Sequence, residues 1–234
     1  MKPVEPIETV QLFPLLSQEL IAVLKALQPP DWARPTACAA WTVKDVAAHL
    51  LGGNFGRLWS RAEKSTSSAK LLGYDELLDL INRDNAVWVQ AARRISPHML
   101  IDLLKLTDAR LYKHFKNMDP NGLAHITVAW ASDELPPNWF DIAREYTEKW
   151  LHQQHIREAA GAALLTGRAF LYPVLDTFLR GLPRTFRSVE APEGAGIVVQ
   201  ITGEAGGEWT LRMESHQWRL FTGREPQPVC CVQI

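Results

Sequence analysis

Cysteine is scarce in this chain, with only Cys38, Cys230 and Cys231 among 234 residues. They form neither an even disulfide framework nor a Cys-x-x-Cys pair, which excludes a disulfide-stapled scaffold and fits a reducing compartment. Cys230 and Cys231 fall on alternate sides of a predicted strand and read as packing residues. An excess of one charge is missing too: 25 Lys and Arg stand against 26 Asp and Glu, a formal charge of −1. With no basic stripe and no interleaved aromatics, a nucleic-acid partner is excluded, and so is an anionic membrane surface. No run approaches the roughly 18 apolar residues of a membrane span. The opening "MKPVEPIETVQLFPLL" has acidic residues and prolines where a signal peptide needs a basic start and an unbroken apolar stretch. A cytoplasmic protein is expected. There is also no Walker-type phosphate loop, no GxGxxG after a strand, no GxSxG elbow and no HExxH. "GEAGGEW" is Gly-rich, but its place between two predicted strands makes it a hairpin turn.

What is present is an ordinary globular composition, 47% hydrophobic and 22% charged, in a chain long enough for one medium and one small domain. The first two thirds carry helical periodicity. "IETVQLFPLLSQELIAVLKAL" predicts a first helix stopped by Pro29 and Pro30. Thr42 is placed to cap a second helix, with Asp45 three residues on completing a capping-box variant, and His49 lies inside that helix. After a polar "STSSAK" break, two more helices are expected, the second opened by Ser96 and Pro97. The segment "DPNGLAHITVAWASDELPPN" is a long connection, and a last long helix runs from Trp139 to a Gly161 cap. Beyond it, "FLYPVLDTFLRGL" predicts one further helix, and "GIVVQITGEAGGEWTLRMESHQWRLFTG" predicts three or four antiparallel strands. The expected architecture is mainly α: a helical bundle over residues 1–165, then a small α+β domain over 166–234. Trp59, Trp88 and Trp150 sit at helical spacing and read as core.

Within "EKWLHQQHIREAAG", Glu148, His152 and His155 fall within about 60° of one another on a helix, so all three could point at one place. Bundle cores build metal sites by projecting ligands from facing helices. His49 on the second helix, with Glu148 and His152 on the last, makes a two-histidine, one-carboxylate set, the ligand count of a zinc site with an open fourth position. Without soft thiolates in the set, zinc or another borderline divalent ion suits it best. Spacing alone leaves a solvated helix face as the commoner explanation of the same residues, and a satisfied core histidine as that of His49.

The segment "AAWTVKDVAAHLLGG" resembles the entry to the second helix of the mycothiol-dependent maleylpyruvate isomerase family, a branch of the DinB-like four-helix-bundle metalloproteins. In that family a Trp-Thr/Ser-x-x-Asp-x-x-x-His-Leu pattern supplies the first metal ligand, which implies His49. "AREYTEKWLHQQHIREAAG" is similar to the family's last bundle helix and implies Glu148 and His152 as the other two. The resemblance runs over roughly residues 10–165, and the remainder looks like the family's small C-terminal domain. It implies a divalent metal, zinc or else nickel, with a low-molecular-weight thiol as cosubstrate and a small electrophile as substrate. The reaction would be isomerisation or S-transfer. Because the thiol brings the nucleophile, no protein cysteine is needed. By resemblance of position, Arg212, Arg219 and Arg224 are candidates for holding a substrate carboxylate, while a surface charge is the commoner reading of each one alone.

Two departures stand out. His155 replaces an Asp found in many relatives; it could orient a ligand, bind the ion itself or do neither, and is treated as supporting the ligands from behind. The chain ends at "VCCVQI", where relatives continue through a turn and a further helix, so the small domain is expected to stop short. The rival reading is a non-catalytic, stress-associated metal-binding module on the same scaffold. Beyond that stands a metal-free interaction protein.

Overall fold

A short 3₁₀ turn, Val10–Leu12, leads into α1 (Phe13–Ala26), with a proline in its first turn. The computed structural model describes residues 1–62 and 74–234; the "STSSAK" break and the Trp59 side chain lie outside what is described. After α1, a 3₁₀ turn at Pro29–Ala33 buries Trp32, and α2 (Val43–Ala62), α3 (Tyr74–Ala92), α4 (Pro97–Lys116) and α5 (Asn138–Ala160) follow. Then come α6 (Arg168–Leu179), the short α7 (Leu182–Thr185) and the strands β2 (Gly196–Ile201), β3 (Gly207–Glu214), β4 (Gln217–Thr222) and β5 (Cys230–Gln233). Lys2–Pro3 forms β1. None of the described helices is long and apolar enough to cross a membrane.

The chain divides into two compact units, one of Val10–Met118 with Glu148–Leu164, the other of Met1–Thr9, Asp119–Thr147 and Leu165–Ile234. In the first, helical unit, α2 packs on α3 and α4, and α1 packs on α4. Leu20, Leu24, Val43, Val46, Leu51, Leu100, Leu104 and Ile156 share its core. Gly52 lets α3 approach closely, since a Cβ there would stand 2.5 Å from Trp88 Cδ1. Trp88 is half-buried at the edge of this core, donating its indole N–H to the Ala48 carbonyl at 2.7 Å. α5 ends on Gly161 at φ +67°, a left-handed residue suited to glycine. Ala162 N–H reaches back to the Arg157 carbonyl at 2.8 Å and Gly161 N–H to that of Glu158 at 3.1 Å.

The start of α2 obeys the cap read from its sequence. Thr42 Oγ1 accepts from the Asp45 N–H at 3.3 Å, and Asp45 Oδ2 accepts from the Thr42 N–H at 3.1 Å. Arg93 adds a two-pronged bond to the Asp45 carboxylate at 2.9 and 3.1 Å. Burial alone would raise the Asp45 carboxyl, but Arg93 and Thr42 more than offset it and hold it below the usual carboxylate range. The folded state thus binds that proton less well than the unfolded chain. The stabilisation is complete above the unfolded Asp value of about 4 and is lost as pH falls through the depressed folded value. Thr42→Ala is expected to cost about 1 kcal/mol. Asp45→Asn should flatten the acid limb of stability against pH. Urea melts of both variants at neutral and acid pH test this; wild-type midpoints throughout would refute it.

In the second unit the sheet order is β1-β4-β3-β2-β5. β2, β3 and β4 form the expected antiparallel meander. The sheet is wider than expected: β1 pairs antiparallel with β4, and β5 pairs parallel with β2. The two added strands are only two and four residues long, too short to show alternation in the sequence. Cys230 and Cys231 do lie on a strand, but both are free and exposed on this sheet edge, so they are not packing residues. α6 covers the sheet at the fully buried Trp209, whose indole donates to Asp176 at 2.8 Å while Tyr172 stacks on it at 5.6 Å.

Candidate metal centre

α2 and the C-terminal part of α5 build one side-chain cluster in the helical unit. Once the Thr42 cap sets where α2 begins, His49 falls on its buried face beside Val46 and Leu50. On α5, Glu148 and His152 are one turn apart and face the same way. Glu148 Oε1 lies 3.1 Å from His49 Nε2 and 3.1 Å from His152 Nε2. One donor atom from each of the three residues lies within 4.8 Å of the others. Two N or O ligands about 2.1 Å from a tetrahedral ion stand about 3.4 Å apart. The spacing therefore fits a small divalent cation.

The rings form one aromatic cluster. Trp41, in the loop before α2, lies 4.8 Å from the His49 ring and 6.2 Å from that of His152, and the two imidazoles meet edge to face at 4.6 Å. Burial raises the Glu148 carboxyl, but the hydrogen bonds of His152 and His49 and their charges outweigh it and hold the group well below the carboxylate range. The carboxyl is thus an anion at neutral pH. His49 Nδ1 is buried and has no hydrogen-bond partner among the described residues. A ring whose second nitrogen has no anchor is held by what its Nε2 meets.

His155 shares the helix face but sits apart from Glu148 and His49. Its Nδ1 lies 3.2 Å from Cys38 Sγ, and its ring stands 5.3 Å from that of His152. Burial and the neighbouring His152 lower its pKa. Cys38 also lies 3.9 Å from His152 Nδ1, and burial raises its thiol. In the sequence Cys38 belongs to neither an even disulfide framework nor a Cys-x-x-Cys pair, and a contact across 117 residues leaves no periodic signal.

The three arginines belong to the sheet unit. Arg212 on β3 lies 3.7 Å from both Glu214 and Glu225, Arg224 pairs with Glu208 at 3.1 Å, and Arg219 is exposed on β4. Arg157 on α5 pairs with Glu19 at 2.7 Å.

Residues 13–157 match the profile of the mycothiol maleylpyruvate isomerase N-terminal domain. No curated protein matches the chain. Among solved structures, the crystal structure of the mycothiol-dependent maleylpyruvate isomerase superposes with a TM-score of 0.57 at 14% identity, over 98% of this chain and 100% of that one. A histidine-to-alanine mutant of the same enzyme superposes at 0.56 with the same identity and coverage. At this identity the likeness is one of fold.

Proposed function

Since the chain belongs to the mycothiol maleylpyruvate isomerase N-terminal domain family, we propose that it is a divalent-metal-dependent enzyme acting on a small electrophile with a low-molecular-weight thiol as cosubstrate. Isomerisation is the reaction that the relatives' name supports. The observation that carries the reading is the convergence of His49 Nε2, Glu148 Oε1 and His152 Nε2 on one point. Those three residues would hold the ion, zinc or else nickel, through two neutral imidazoles and one carboxylate. Bound there, it would supply a Lewis acid for lowering the pKa of a thiol or polarising a substrate oxygen.

The chain's own residues have narrower tasks. Glu148 brings one negative charge, which leaves the site cationic and receptive to an incoming thiol. Trp41 covers the imidazoles on one side and keeps water from that face. His155 supports His152 from behind. Arg212, Arg219 and Arg224 are proposed to attract a substrate carboxylate.

The test is elemental analysis of tag-free protein together with His49→Ala and His152→Ala. The expected result is about one zinc or nickel per wild-type chain, lost in both variants together with thiol-dependent consumption of a maleylpyruvate-like acid. A wild-type protein that takes up no ion from added zinc or nickel would refute it.

A further inference from the structure

Donor atoms of Cys38, His152 and His155 also lie within 4.8 Å of one another, as a second group that shares His152 with the first. The proposed activity assigns Cys38 no task. Its Sγ is 3.2 Å from His155 Nδ1 and 3.9 Å from His152 Nδ1. Sulfur and nitrogen bound to one tetrahedral ion, at about 2.3 and 2.1 Å, stand about 3.6 Å apart. The observed spacings fall either side of that value. At the same time His152 Nε2 keeps its 3.1 Å approach to Glu148. The ring therefore stands between two donor sets and turns one nitrogen to each.

The thiol is held in place by its loop. Thr36 Oγ1 accepts from the Cys38 N–H at 3.2 Å and donates to the Trp41 carbonyl at 2.9 Å, while the Trp41 N–H donates to the Cys38 carbonyl at 2.7 Å. All three side chains are half-buried, which leaves the group reachable from solvent. One thiolate with two imidazoles is a softer donor set than two imidazoles with a carboxylate.

We propose that Cys38, His152 and His155 form a second cation site, distinct from the first and suited to thiophilic ions such as zinc or cadmium. Filling both sites releases the Cys38 thiol proton and the last ring proton of His152 to solvent, and each ion takes one nitrogen of that ring. Only the sharing of His152 rests on the function proposed above.

Cobalt(II) titration of the metal-stripped full chain tests this, in a Cys230→Ser, Cys231→Ser background where Cys38 is the remaining thiol, with circular dichroism reporting the folding of each variant. The second equivalent should bring a sulfur-to-cobalt charge-transfer band. Cys38→Ser and His155→Ala should each lose that band and one equivalent, whereas His49→Ala should keep the band and lose the other equivalent. A titration of that background protein without the band overturns the proposal. So does a band that grows with the first equivalent and vanishes in His49→Ala, since Cys38 would then belong to the first ion. If His49→Ala loses no equivalent while Cys38→Ser abolishes the band, the second site stands and the first reading fails.

Discussion

Lys149→Met is expected to destabilise the helical unit by about 3–5 kcal/mol, because it strands a buried carboxylate. Lys149 donates to Asn54 Oδ1 at 2.6 Å and to Asp108 Oδ1 at 3.0 Å. Asn54 bonds both Thr107 and Asp108 at 2.8 Å, and Ser17 reaches the other Asp108 oxygen at 2.7 Å. One polar network thus ties α1, α2, α4 and α5 together, and its Asn54, Thr107, Asp108 and Lys149 are all buried. Methionine matches the stem of lysine but leaves Asp108 charged with no cation. The double variant Lys149→Met, Asp108→Leu should recover most of the loss, since the cost comes from the unpaired charge more than from the absent pair. Urea unfolding of the two single variants and the double variant closes the cycle. Additive losses would mean that the pair is not coupled. The network anchors α5 at the residue next to Glu148, so the single variant is expected to bind zinc more weakly even where it remains folded.

The second large effect is expected at Glu148, the carboxylate of the proposed centre. Glu148→Gln keeps the volume and one oxygen but removes the charge that the two imidazoles hold in its ionised form. Zinc affinity is expected to fall by about 100-fold or more, beyond the 10–100-fold typical of losing a group that only supports a ligand. Thiol-dependent turnover should fall with it when zinc is limiting. Competition with a chromogenic chelator measures the first, and disappearance of the electrophile measures the second. A Glu148→Gln protein that holds zinc as tightly as wild type would remove Glu148 from the ligand set and leave two histidines, too few for the proposed centre.

Much of the helical unit was legible in the sequence because its signals are local. Thr42 and Asp45 cap α2 within four residues of chain, Ser96 and Pro97 open α4, and Gly161 ends α5 in a conformation that few other residues adopt. The outer strands were not legible. β1 and β5 are two and four residues long, and each is defined only by the neighbour it pairs with. Lys149 gave no warning either. In a helix a lysine reads as solvated surface, and nothing nearby in the sequence announces that Asn54 and Asp108 will surround it.

The sequence by itself determined that Glu148, His152 and His155 share a helix face, since a period of 3.6 residues leaves no other arrangement once the helix forms. It could not divide that face between two sets of contacts. The tertiary structure turned Glu148 and His152 toward His49, 99 residues from Glu148, and turned His155 toward Cys38 in a loop 117 residues away. Contacts across such separations depend on how the buried faces of α1, α2, α4 and α5 settle against one another. That packing is a property of the whole core, and no local stretch of chain encodes it.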